Sequence, residues 1–402
     1  MFYICPMKKK ILPLSRQSFR KMREDNCIYV DKTKQIYDLC RDGGMYFLSR
    51  PRRFGKSVLL STMAELFKGN KELFTDLWIA DKWDWTQTSA VIHISFLTVS
   101  YEKQGLEAGL KAYLLAIFAE NKIEPINDEN IKNLFFDLIK KLHDKHGKVV
   151  ILIDEYDKAI LDYMEFHKMP QAKANQEVLA VFYGALKEAD DYIRLFFMTG
   201  VSTSTKNSLG YCLNSLQDLT LHPRYGDILG FTQNEIEAYF SDFIDLTQLA
   251  MPTYSHFNLL EEIDIWYSGY SWDGKNTLYN PFCIVSFFSN QVFKSYWFQI
   301  KQSPVVIQKI VEQRLFQIEH VETTIDFLKQ YGFDRLELTS LLFQMGYLAI
   351  KEKLEDGILV LSYPNQDVKQ AFNLIKSHLN VNFSNYLDHP QILATDLRIF
   401  TD

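Results

Sequence analysis

Hydrophobic positions along this chain fall into two regimes. Up to about residue 230, short continuous apolar runs alternate with longer stretches in which apolar residues recur every three or four positions. Residues 45–49, 91–96, 149–153 and 194–199 read as buried strands. Continuous β-branched and aromatic runs are what strands covered on both faces require. Residues 58–67, 106–120, 131–143 and 177–189 carry helical spacing. Strands alternating with helices give a parallel sheet with crossover helices, so this part is predicted to be α/β.

From residue 231 the alternation stops. Residues 234–243, 259–267, 281–292 and 305–316 have helical spacing, and 337–345 reads as a further helix. Behind it come residues 347–353, an Asp356-Gly357 turn and residues 358–362. A helix followed by an Asp-Gly hairpin is the signature of a winged helix. The predicted division is an α/β core over 7–230, a helical lid over 231–312, a winged-helix-like module over 313–370, and a tail over 371–402. That tail closes no element and reads as the start of a further domain. Neither an internal repeat nor a low-complexity segment is apparent.

Composition changes little. Hydrophobic residues make up 47% and charged residues 23%, which is ordinary for a soluble globular protein. A formal net charge of −6 argues against a surface that coats nucleic acid throughout, but leaves a local basic groove open. Cys5, Cys27, Cys40, Cys212 and Cys283 form no CxxC pair and read as free thiols of a reducing compartment. No run of about 18 apolar residues is present to span a bilayer. The apolar start precedes Lys8-Lys9-Lys10, the reverse of a signal peptide's order. A cytoplasmic protein without membrane contact is expected, with Met7 a candidate start.

Chemistry concentrates first in Ser49-Arg50-Pro51-Arg52-Arg53-Phe54-Gly55-Lys56-Ser57. It follows a predicted strand and opens a predicted helix, the context of a phosphate-binding loop. Backbone amides from Arg52 to Val58 would face the anion, helped by the helix dipole. Gly55 allows close approach, Lys56 reaches the β- and γ-phosphates of ATP, and the Ser57 hydroxyl ligates Mg2+. Arg50 stands where the general GxxxxGK[ST] pattern has its first glycine. The first turn is therefore expected to fall to a residue that disfavours left-handed angles.

The second element is Val149-Val150-Ile151-Leu152-Ile153-Asp154-Glu155, an apolar strand ending in two carboxylates. Asp154 is placed at the metal and Glu155 where it orients or deprotonates water. Asp157 is either a third acidic participant or a helix N-terminal charge. The third element, Arg194 to Ser202, offers Thr199 or Ser202 as a hydroxyl near the γ-phosphate. Arg50, Arg52 and Arg53 either supply charge to the transferred phosphoryl or pair with nearby acids.

On these residues the chain resembles the AAA-ATPase-like family of bacterial P-loop ATPases. The resemblance rests on Tyr29 to Thr33, Arg50 to Ser57, Leu152 to Asp157 and Thr199 to Ser202. It continues through Leu213 to Thr220, Tyr270 to Asp273, Tyr279-Asn280-Pro281 and Tyr363-Pro364-Asn365, covering roughly residues 11 to 375. Arg50 belongs to that family's pattern. The family is similar to the STAND and archaeal-ATPase branches of the AAA+ class, which implies that Pro281 lines the adenine pocket. A proline simply starting a helix is the other reading. Relatives usually carry a PD-(D/E)XK nuclease-like domain after the winged helix, and no strand bearing Glu-x-Lys follows Tyr363 here.

The expected function is therefore that of an ATP-hydrolysing ATPase or switch. Its rivals are a non-hydrolysing nucleotide-binding scaffold and a DNA-processing factor working with a separate nuclease or effector protein. A homo-oligomer is also open. Among weaker signals, His143-Asp144-Lys145-His146 reads as a solvated loop before a metal site. Arg16, Arg20, Lys21 and Arg23 read as a segment packed on the core before a phosphate contact. Arg224 is a finger only by position. The hairpin sets Lys351 and Lys353 against Glu352, Glu355 and Asp356, a poor balance for phosphate binding.

Overall fold

Successive residues of the central strands point to opposite sides of one sheet, and both sides are covered. The computed structural model describes residues 10–164, 168–209, 213, 215–297, 318–329 and 338–374. Strands β1 (Gly44–Ser49), β2 (Val91–Ser95), β3 (Val149–Asp154), β4 (Ile193–Gly200) and the short β5 (Gln217–Asp218) make a sheet of order β2-β3-β4-β1-β5. Every neighbouring pair is parallel. Val149, Ile151 and Ile153 enter one core cluster, while Val150 and Leu152 enter the other. All six residues of β3 are buried, which is why that run contains no polar position before its end.

Helices α1 (Phe19–Glu24), α2 (Thr33–Cys40) and α3 (Lys56–Phe67) cover the second face. Helices α4 (Leu106–Glu120), α5 (Ile131–His146) and α7 (Met169–Tyr183) cover the first. Short helices α6 (Lys158–Leu161), α8 (Ala185–Glu188) and α9 (Thr203–Ser208) lie between the longer elements. Two expectations change here. The helix expected over 177–189 starts at Met169, with Pro170 in its first turn, a position where the missing N–H costs nothing. Residues 143–146 are the last turn of α5 rather than a loop, and their basic side chains suit a helix C-terminus. The segment carrying Arg16, Arg20 and Arg23 packs on the core. Arg20 pairs with Glu65 at 2.6 Å, and Arg23 donates to the Leu73 carbonyl at 2.8 Å.

A third cluster holds α10 (Gln233–Tyr239), α11 (Ser241–Ala250), α12 (His256–Tyr267) and α13 (Pro281–Asn290) around Ile236, Phe240, Ile263, Tyr267 and Phe287. The single helix expected over 234–243 is two helices meeting at Phe240. Residues 305–316 lie outside the described residues. Then come β6 (Val321–Thr324), α14 (Ile325–Lys329), α15 (Leu338–Met345), β7 (Ala349–Lys353) and β8 (Ile358–Ser362). The strands form an antiparallel sheet of order β6-β8-β7. The helix and hairpin stand where the sequence placed them. The third strand, β6, has a single buried residue and left no periodic signal. The boundary expected at 312–313 and most of the tail lie outside the described residues.

Cys27, Cys40 and Cys283 are buried free thiols; Cys5 and Cys212 lie outside the described residues. No described helix is long and apolar enough to cross a membrane.

The hairpin module sits directly on the loop that follows β1. A Cβ added to Gly346 would lie 2.9 Å from the Pro51 ring and 2.8 Å from Trp297, and Gly346 has φ +87°. Thr203 N donates to Gln344 Oε1 at 3.2 Å. Gly346→Ala therefore meets both a left-handed backbone and a filled space. It should destabilise by about 2–4 kcal/mol, read as a lowered midpoint in urea unfolding.

Candidate functional site

Six residues connect the end of β1 to the start of α3, and two left-handed residues shape that turn. They are Arg53, at φ +66°, and Gly55, at φ +98°. The angle, not space, requires the glycine, since a Cβ on Gly55 would meet only Leu229 at 3.7 Å. Arg50 is not among the residues with positive φ, so the strain expected there falls on Arg53 instead.

The Arg50 side chain is fully buried and turned away from solvent. Its Nη1 donates to the Ser49 and Thr220 carbonyls at 2.8 and 2.9 Å, and its Nη2 to those of Tyr225 and Gly226 at 3.1 and 3.2 Å. The guanidinium carbon lies 4.2 Å from the centre of the Trp272 ring. Burial lowers its pKa to about 9, against the pull of Asp218, Asp273 and Asp227, so it is cationic at neutral pH. Arg50 is thus a plug behind the loop, outside the cavity described below. Arg52 and Arg53 do line the cavity described below.

The polar groups of the three motifs converge because β4 lies between β1 and β3. Thr199 is level with Leu48, and Met198 with Ile153, which brings the ends of all three strands together. Ser57 Oγ donates to Asp154 Oδ2 at 2.6 Å, and Thr199 Oγ1 to Asp154 Oδ1 at 3.0 Å. Lys56 is 3% exposed. Its Nζ donates to the Arg50 and Pro51 carbonyls at 3.0 and 3.2 Å and stands 3.2 Å from Glu155 Oε1. Glu155 has φ +53°, an angle that costs a residue with a Cβ of order 1 kcal/mol. Burial first, then Glu155, pushes the Asp154 carboxyl up, against Ser57, Lys56 and Thr199.

Asp157 stands at the N-terminus of α6, one of its two expected places. It makes no capping bond to α6. Its Oδ2 accepts from Val201 N at 2.9 Å and Ser202 N at 2.6 Å, while Oδ1 has no partner. It therefore ties the end of β3 to the end of β4. Burial raises its pKa to about 7, followed in weight by Glu155. Ser202, the alternative to Thr199, accepts from Thr205 N as the cap of α9.

A cavity of about 980 Å³ opens against the loop. Arg52, Arg53, Phe54, Gly55, Lys56, Ser57, Val58 and Glu155 line its middle. Ile28, Val30, Phe231, Pro281, Phe282 and Val285 make an apolar end. Asn280 Oδ1 accepts from Phe282 N and Cys283 N, so the Asn-Pro step both caps α13 and brings Pro281 to the cavity. Asp154 and Thr199 stand behind Ser57 and do not line it. Sequence reasoning missed the other end, where Lys158 Nζ donates to Tyr101 OH at 2.9 Å and Tyr101 OH to Asp162 at 2.8 Å. Lys158, one residue past Asp157, was the available signal. Arg224 is away from all this, paired with Asp38 at 2.6 Å.

The family described as Predicted AAA-ATPase matches residues 13–210, the span that contains every one of these loop and strand-end groups. A protein of Azotobacter chroococcum mcd 1, "Uncharacterized protein in vnfD 5'region", is 36% identical over 375 residues, or 91% of this chain and 70% of that one. The chain belongs to the predicted AAA-ATPase family. Its structure is also similar, at lower levels, to two Aeropyrum pernix proteins. ORC2 in ADPNP-ADP complexes matches at TM-score 0.39 and 10% identity, covering 88% of this chain and 93% of that one. ORC1 in complex with DNA matches at 0.32 and 11%, covering 94% and 95%. Similarity this low assigns nothing to the present AAA-ATPase.

Two outcomes follow from the buried charges. Arg50→Gly restores the general loop pattern but leaves four carbonyls without their donor. It should cost about 3 kcal/mol or more in urea unfolding, and Arg50→Lys should recover only part, since an ammonium lacks the fork. Asp157 binds its proton more tightly folded than unfolded. Its contribution is present below pH about 4 and is lost as pH rises through about 7. Asp157→Asn keeps an oxygen for both amides. Its stability should match wild type near pH 3 and exceed it at pH 8, by up to the order of 4 kcal/mol.

Proposed function

We propose that this AAA-ATPase binds Mg-ATP in the cavity beside the loop and hydrolyses it, passing the state of the site to its helical and hairpin modules. The observation that carries the reading is the meeting of Lys56, Ser57, Asp154, Glu155 and Thr199 at the ends of β1, β3 and β4, beside a cavity of about 980 Å³. The apolar end between Ile28 and Phe282 suits a base, and Arg52 to Val58 suit the phosphates.

The donor set fits magnesium. The Ser57 hydroxyl and the Asp154 carboxylate are adjacent hard oxygens, the type that cation prefers. Bound magnesium supplies neutralisation of charge on the phosphate oxygens. The chain's own residues do the rest. Lys56 holds the Arg50 and Pro51 carbonyls and offers its remaining contact, now made to Glu155, to the β- and γ-phosphates. Glu155, released from Lys56, takes a proton from the attacking water. Thr199 holds Asp154 in place from β4. The core over 7–230 is the catalytic unit, 231–312 the lid and 313–370 the winged-helix-like module.

Lys56→Ala should weaken ATP binding at least tenfold in calorimetry, because the phosphate loses its buried cation. Glu155→Gln should bind ATP more tightly than wild type, since Lys56 no longer leaves a carboxylate. Its magnesium-dependent turnover should fall by about 10²–10⁴-fold. Wild type that binds ATP without turnover would make the chain a nucleotide-binding scaffold, and wild type that binds no nucleotide would remove the reading.

A further inference from the structure

Residues 231–297 hold eight carboxylates against two lysines, Lys275 and Lys294, an excess equal to the −6 of the whole chain. Among the described residues, Glu235 is the one carboxylate of this module in an ion pair, with Lys32. Much of the remaining charge stands on the outward faces of α11 and α12. On α11, Ile244 and Thr247 are buried, and the opposite face carries Asp242, Asp245, Leu246 and Leu249. On α12, Leu259, Ile263 and Tyr267 are buried, and the opposite face carries Phe257, Glu261 and Ile265. Spacings of three and four residues align each set as a single stripe.

Leu249 is 78% exposed, Phe257 72%, Ile265 52% and Leu246 40%. Single exposed apolar residues are ordinary. These recur at helical spacing, with carboxylates between them, on two helices that pack against each other over one core. We propose that this face docks a basic amphipathic helix of a partner protein. The partner's apolar side chains would cover Leu249 and Phe257, and its lysines or arginines would meet Asp242, Asp245 and Glu261. Charge decides the class of occupant. Nucleic acid would meet like charge here, and a second copy applied through the same face would set carboxylates on carboxylates. No residue of α11 or α12 lines the cavity, so the face can be altered without touching the nucleotide site.

The test uses the full chain and a fluorescent peptide of leucine and lysine at helical spacing, about five turns long. The same peptide with glutamate for lysine is the control. Anisotropy should show binding of the lysine peptide that weakens from about 0.05 M to about 0.3 M salt. Leu249→Ser with Phe257→Ser, and separately Asp245→Lys with Glu261→Lys, should each weaken it about tenfold or more. Circular dichroism of both variants should match wild type, as these side chains are exposed. Equal binding by wild type and variants, equal binding of the glutamate peptide, or no binding at all overturns the proposal. So does self-association of wild type that the Leu249→Ser, Phe257→Ser variant abolishes, which would give the face to a second copy.

Discussion

The arrangement of the site depends on one buried cation. Arg50 gathers carbonyls from the end of β1, from the exit of β5 and from the turn at Tyr225-Gly226, and lays its guanidinium on Trp272. Loops rarely bury carbonyls without partners, because each orphan costs more than an ordinary bond contributes. Trp272 in turn meets Phe54 edge-on at 5.1 Å, and Phe54 meets Tyr270 at 4.9 Å. Tyr270 and Tyr279 are bridged to Leu278 and Phe231, leading into α13 at the apolar end of the cavity. A glycine at position 50 would free the loop's first turn and sever this chain of contacts. The loop trades backbone freedom for attachment to the helical module.

The second constraint is electrostatic. Asp154, Glu155 and Asp157 crowd the end of β3, and burial raises the pKa of the first and third. Lys56 is the buried cation beside them, and it already serves two carbonyls and Glu155. Three acids facing one lysine in a low-dielectric setting leave a deficit of positive charge. In the proposed function a divalent cation would relieve that deficit at Asp154, while a polyanion would compete with Glu155 for Lys56, so each would compensate for the other.

Much of this was legible in the sequence. β3 reads directly because all six of its positions are buried, and α5 because its apolar residues recur at helical spacing between charged ones over sixteen residues. Lys56, Ser57, Asp154 and Thr199 were recognisable because strand ends fix where small polar groups go. Short elements were not. Helices α1 and α2 have six and eight residues and β5 has two, too few to show a period. The break at Phe240 follows no glycine or proline. Arg50's role was invisible for a different reason. Its partners are backbone carbonyls up to 176 residues away, and a carbonyl leaves no mark in a sequence.

Contact between the site and the hairpin module runs through backbone as well. Pro51, whose carbonyl accepts from Lys56, packs on Gly346, and Thr203, which starts α9 after Ser202, donates to Gln344. Both links end on α15 and the turn that follows it. One begins at the loop and the other just past the residues that Asp157 holds. A ligand shifts a conformational equilibrium only by contacting its two states differently. In the proposed function a phosphate takes the Lys56 contact now made to Glu155 while Lys56 keeps the Pro51 carbonyl, and Pro51 is the residue that touches the hairpin module. A shift of Lys56 in that proposal would reach the module through the single residue Pro51, whose carbonyl accepts from Lys56 and whose ring lies against Gly346.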